Sequence, residues 1–119
     1  PYFKKNSSSD IKVVLNNNND VLYASRSDIP SDSRTKDPSK LKAYHIVPFR
    51  KPFLLKFSKW EKGTLEKIEF NEYLRILEHG ERFRAVLVDS DAVSVDTYED
   101  LQYVRKIMLE DELFETYKS

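Results

Sequence analysis

Three glutamates, Glu66, Glu69 and Glu72, recur at every third position of LEKIEFNEYLRILEHG, residues 65–80. The segment reads as one helix closed by Gly80 in the position a C-cap glycine prefers. At about 100° per residue, its apolar residues spread over roughly two-thirds of the circumference. Lys67, Asn71, Arg75 and Glu78 fill the remaining arc, as a solvent face should. The three glutamates instead fall among the apolar positions. Like charges at i, i+3 oppose a helix by about a few tenths of a kcal/mol per pair. A carboxylate buried without a partner is far more costly, so it protonates or finds a cation. Lys and Arg neighbours are the expected partners of Glu66 and Glu69. For Glu72 two readings stand open: a rim carboxylate met by a cation, or one that lines a polar cleft.

A fourth carboxylate, Asp96, ends the β-branched run VSV (93–95) just where a helix begins. In Asp96-Thr97-Tyr98-Glu99 an N-cap aspartate precedes a glutamate by three, the pattern of a capping box. The same carboxylate is also placed to hold a divalent cation beside phosphates, with a second ligand from Asp89, Asp91 or residues outside this chain. Arg26 closes YASRSDIP at the end of a strand. A guanidinium there suits bidentate binding of a carboxylate or phosphate, or an ordinary surface ion pair. His45 and His79 lie 34 positions apart, form no metal-binding pair and read as structural.

The rest of the composition narrows the chemistry. Lys plus Arg and Asp plus Glu both number 20 in 119 residues, so no basic footprint for nucleic acid exists. The absence of cysteine excludes disulfides, thiolate metal sites and cysteine nucleophiles. Gly63 and Gly80 are the only glycines, so no glycine-rich phosphate loop is present. No apolar run approaches the ~20 residues of a membrane helix, and PYFKKNSSSD lacks a signal peptide's apolar core. The expectation is a soluble, cytoplasmic protein that engages neither membrane nor nucleic acid.

The elements that must position these residues follow from patterning. IKVVL (11–15) and VLYAS (21–25), separated by NNNND, predict a β-hairpin. Residues 26–42 are polar with two prolines and read as a loop. AYHIVPF (43–49) predicts a strand with Pro48 near its end. From Lys51 a short helix brings Phe53, Leu54, Phe57 and Trp60 to one side. RFRAVLV (82–88) predicts another strand, and Thr97 to Met108 a last helix. The tail from 110 to 119 keeps Leu113, Phe114 and Tyr117 at helical spacing, extending that helix or docking on a partner. The sum is a single mixed α/β unit. A hydrolase using the glutamates as acid and base is disfavoured, because all three share one helix and no facing carboxylate can be named.

IKVVL, VLYASRSDIP, AYHIVPFR, TLEKIEFNEYLRILEHG and VDTYEDLQYV, in this order and spacing, resemble the 3-deoxy-manno-octulosonate (KDO) cytidylyltransferases, or CMP-KDO synthetases. The likeness runs from about Asp10 to Met108 and covers only the C-terminal half of such an enzyme. It implies part of a Rossmann-like nucleotide-diphospho-sugar transferase fold. Residues 11–42 would form a hairpin and loop that help make a homodimer, 43–109 the sugar- and metal-binding part, and 110–119 a tail. The implied reaction, in lipopolysaccharide biosynthesis, is magnesium-dependent transfer of CMP from CTP to KDO or a related acidic sugar, with release of pyrophosphate. Asp96 would be a magnesium ligand, Arg26 a contact to the acidic sugar and Glu72 a contact to sugar hydroxyls. Three further pocket positions depart from the family pattern: Ala43 and Val47 stand where a histidine and a tyrosine are usual, and Tyr73 where a glutamine is usual. The resemblance assigns no catalytic residue within this chain. It places the CTP-binding loop and the other magnesium aspartate in an N-terminal half, so these 119 residues are expected to be inactive alone. The competing expectation is a stand-alone interaction domain derived from the same fold.

Overall fold

The structure of the chain, a computed structural model, describes residues 8–36, 38–89 and 93–117. It divides into two compact units, one running through Leu87 and one from Val88.

The first unit is built on the predicted hairpin. Strand β1 (Lys12–Leu15) pairs antiparallel with β2 (Val21–Ser25), with Val13 opposite Ala24 and a bulge between Val14 and Leu15. Asparagine chemistry closes the turn. The Asn16 side-chain oxygen accepts from the Asn18 and Asp20 amides at 2.8 and 2.9 Å, and Asn19 adopts φ 62°, a left-handed conformation asparagine tolerates. Ile11, Val13, Val21 and Ala24 are buried against Tyr73 and Leu74. On β1 the alternate residue Lys12 is also fully buried. Its ammonium donates to the carbonyls of Asp10, at 2.8 Å, and Arg26, and pairs with Asp28 at 3.4 Å. The chain leaving β2 is thereby tied down where SRSDIP begins.

The strand expected at 43–49 is displaced. Strand β3 is only Leu41–Lys42, on the other edge of β1, giving the order β2-β1-β3. Ala43 still donates to the Ile11 carbonyl at 2.8 Å, but beyond Ile11 the neighbouring strand has run out. Residues 43–49 therefore continue without a ladder. The run 82–88 is likewise not a strand. Arg84 makes one bridge to Asp20, and Val86 and Leu87 are 84% and 59% exposed, because only the hairpin tip reaches this segment.

Helix α1 (Lys51–Phe57) starts on a proline in its first turn, where a missing N–H costs nothing. Phe49, Phe53, Phe57 and Trp60 form a chain of ring contacts 5.4–6.0 Å apart, and Trp60 stacks on His79 at 4.1 Å. Leu54, expected on this apolar side, is 45% exposed.

The single helix expected over 65–80 is two: α2 (Thr64–Glu69) and α3 (Tyr73–Glu78). Phe70 takes φ 50° and ψ 49° and ends α2. Three contacts fix the break. Arg26 takes the carbonyls of Glu69 and Phe70 at 2.8 and 3.1 Å, and buried Asn71 accepts the Tyr73 amide at 3.1 Å. These hydrogen bonds, two tertiary and one local, replace the ladder a continuous helix would have made.

The N-terminus of α2 has an unusual cap. Gly63 has no side chain to offer, and the Glu78 carboxylate accepts from the amides of Leu65 and Glu66 at 2.9 and 3.2 Å. A methyl group at Gly63 would lie 2.1 Å from that carboxylate. Gly63→Ala is therefore expected to expel the cap and lower stability by about 1 kcal/mol. Urea unfolding checks this, and in a Glu78→Ala background the alanine should then cost much less.

In the second unit, α4 spans Tyr98–Met108 and α5 spans Phe114–Tyr117. The predicted last helix holds within one residue, but its cap is shifted. Thr97, not Asp96, is the N-cap: its hydroxyl accepts the Asp100 amide at 3.2 Å, and Asp100 accepts the Thr97 amide at 2.9 Å. Asp100, rather than Glu99, completes the box. The tail does not extend α4; a turn at 109–113 precedes α5.

Candidate functional site

The three glutamates separate into two structural groups and one open one. Glu66, 5% exposed, holds Arg75 through two hydrogen bonds of 2.7 and 2.5 Å. The Arg75 hydrogen bond holds its carboxyl below the usual range against the opposing effect of burial. Glu69 reaches back to the end of β2, accepting the Ser25 hydroxyl at 2.7 Å and the Arg26 amide at 3.0 Å. Burial raises its pKa, and those two hydrogen bonds with the Tyr23 contact outweigh it, for a net lowering. Both thus find partners, although Glu69 is held by an amide and hydroxyls as much as by a cation.

Glu72 is different. It stands at the entry to α3, exposed, and lines a cavity of about 210 Å³ with His45, Val47, Phe49, Phe57, Tyr73 and Ile76. The break at Phe70 makes this possible, because α3 starts afresh beside the extended segment 43–49. Tyr73 is buried, and its hydroxyl lies 3.3 Å from His45 Nδ1. Burial, and then the Glu72 charge, push the Tyr73 phenol up, so it stays protonated at neutral pH. Apolar walls with a few convergent polar groups are what small-molecule sites share.

Of the residues expected in a sugar site, the cavity gathers Val47, Glu72 and Tyr73. Ala43 packs against the core instead. Arg26 lies outside the lining. It donates from Nε to Glu69, from one terminal nitrogen to Ser8 at 2.9 Å and from the other to Phe70, which accounts for three of its five N–H donors. Asp96 is in the second unit. It is exposed, and with Thr97 and Asp100 forming the cap its carboxylate is not consumed by the helix. Among the described residues no group of three His, Asp or Glu side chains converges as a metal site. An exposed lone carboxylate nevertheless fits magnesium, which takes one or two protein carboxylates and completes its shell with phosphates and water.

Sequence reasoning missed His45, Phe49 and Phe57 as lining residues. The signal for the first two was period-2 spacing: in an extended chain 45, 47 and 49 share one side. No such signal marked Phe57, which enters from α1.

No helix among the described residues is long and apolar enough to cross a membrane. A family model described as cytidylyltransferase matches residues 4–83. The chain is 42% identical over 100 residues to the 3-deoxy-manno-octulosonate cytidylyltransferase of Syntrophus aciditrophicus, covering 83% of this chain and 40% of that protein. It is 36% identical over 97 residues to the 8-amino-3,8-dideoxy-manno-octulosonate cytidylyltransferase of Shewanella pealeana, covering 82% of this chain and 40% of that one. The solved structure of CMP:2-keto-3-deoxy-manno-octonic acid synthetase complexed with CTP superposes with a TM-score of 0.76 at 33% identity, over 87% of this chain and 43% of that one. These 119 residues thus span about two-fifths of the length of their relatives, and they belong to the cytidylyltransferase family.

Proposed function

We propose that this chain is the sugar-binding part of a CMP-sugar synthetase. The anomeric hydroxyl of an acidic sugar of the KDO type attacks the α-phosphorus of CTP; the new P–O bond forms as the bond to pyrophosphate breaks. The observation that carries this reading is the cavity in which Glu72, Tyr73 and His45 converge between apolar walls, on a chain whose solved relative holds CTP. Its polar groups can read hydroxyls, and such sites discriminate strongly, because a mismatched ligand leaves them unpaired. Val47 shapes the wall on the 43–49 side, and Ala43 supports that segment from the core. Arg26, with two N–H donors beyond its carbonyl contacts, is suited to the sugar carboxylate.

Asp96 is the residue of this chain that would hold magnesium. The ion, when bound, offsets negative charge on the phosphate oxygens. A homodimer formed through the hairpin and the loop after it agrees with β2 lying at the sheet edge, where Leu22 is 59% exposed. The remaining nucleotide contacts would come from the rest of a longer polypeptide, so these 119 residues alone should not turn over.

Phosphorus NMR on the complete protein tests this. With CTP, magnesium and either 3-deoxy-manno-octulosonate or its 8-amino-3,8-dideoxy congener, pyrophosphate and a CMP-sugar should appear in equal amounts. No sugar-dependent pyrophosphate with either compound would overturn the assignment and favour a non-catalytic interaction domain.

A further inference from the structure

The cavity's inventory of hydrogen-bonding groups is unbalanced. Whichever way the proton lies between Tyr73 and His45, that pair keeps one donor and one acceptor facing other partners. If the phenol donates to Nδ1, the phenolic oxygen can still accept and Nε2–H can donate. If Nδ1–H donates, Nε2 accepts and the phenol O–H is the donor. The two oxygens of Glu72 then tip the balance to acceptors. No Lys or Arg side chain lines the cavity among the described residues. The nearby cation that senses Glu72, Arg75, is held by Glu66 and packs 4.6 Å over the Phe57 ring. The site is therefore negative, rich in acceptors and walled in part by the aromatic side chains of Phe49, Phe57 and Tyr73.

Such a site repels a carboxylate and gains most from a group that only donates and carries positive charge. At about 210 Å³ it is smaller than the roughly 300 Å³ of a complete small-molecule site, so it takes one end of a ligand. We propose that this cavity takes a protonated primary amine at the end of the sugar acid remote from its carboxylate, with Glu72 as its anion and the His45–Tyr73 pair as the orienting contact. The inference rests on the acidic-sugar reading above and narrows the substrate class to amino sugar acids. A hydroxyl in the same place keeps the hydrogen bond but loses the charge assistance.

The test is calorimetric binding to the complete protein, in the presence of CTP, of two compounds that differ by one group: 3-deoxy-manno-octulosonate and its 8-amino-3,8-dideoxy congener. At neutral pH the amino compound is expected to bind about tenfold more tightly, the value of one charge-assisted hydrogen bond over a neutral one. Glu72→Gln keeps the shape and removes the charge; because Glu72 is exposed, the variant should fold, which circular dichroism checks. In it the preference should collapse to within about twofold. The inference is overturned if the hydroxyl compound binds as well as the amino one, or if the preference survives in Glu72→Gln. If neither compound binds while CTP does, the acidic-sugar reading itself falls and takes this inference with it.

Discussion

Asp96→Asn in the complete protein is expected to lower turnover about a thousandfold, since a metal at transferring phosphates supplies several kcal/mol of charge stabilisation. The variant should unfold at the same urea concentration as the parent. An exposed residue outside the cap changes stability by no more than about 0.5 kcal/mol. The contrast between the two readouts is the point. Had Asp96 been only the cap, asparagine, an equally good capping residue, would have left both readouts unchanged, and truncation to alanine would have cost about 1 kcal/mol of stability and left chemistry alone. Thr97 and Asp100 perform that task, so nothing in the described fold requires a carboxylate at 96. The isosteric amide removes charge with little change in shape, so the apparent magnesium requirement should also rise. Unchanged turnover at an unchanged magnesium requirement would remove Asp96 from the metal site.

The hairpin and the last helix were legible because each depends on local chemistry: asparagines at a turn, a Ser/Thr/Asp-type cap before an apolar periodicity. The cap was misplaced by one residue, because two overlapping patterns, Asp96 with Glu99 and Thr97 with Asp100, satisfy the same rule. Where the reading failed, the cause was tertiary. Nothing in FNEY announces a helix break. The break exists because Arg26, 43 residues earlier, offers donors to Glu69, and Asn71 turns inward to cap α3. The strand expected at 43–49 has the right composition, yet β1 is too short to pair with it. The candidate site shares this history. Glu72 was recognisable as a carboxylate out of place and His45 was marked by its period-2 spacing with Val47, but Phe57 became visible only when the break had folded α3 against it.

The break also explains why two misplaced-looking glutamates are needed beside the one that faces the cavity. Glu66→Ala is expected to destabilise the protein by about 3 kcal/mol, the low end for breaking a largely buried pair, because exposed Glu72 replaces the lost anion of Arg75 only in part. Arg75 lies close enough to sense the Glu72 charge, so once released it should turn to that carboxylate and neutralise the cavity. Glu66 thus keeps Arg75 engaged and Glu72 available. The pH dependence follows from the direction of the shift. Hydrogen bonding to Arg75 depresses the Glu66 pKa in the folded state, so its contribution is fully present above the unfolded value and is lost as pH falls through the folded one. The gap between parent and variant, measured by urea unfolding, should be complete near neutrality and close progressively as the pH falls below the ordinary glutamate value of 4.5 and through the lowered folded one. Glu69 and Asp20 are also shifted down, so both proteins weaken in acid, and only the difference between them isolates Glu66. A gap below about 1 kcal/mol at neutral pH, the range of exposed ion pairs, would mean that the pair is solvated and does not guard Glu72.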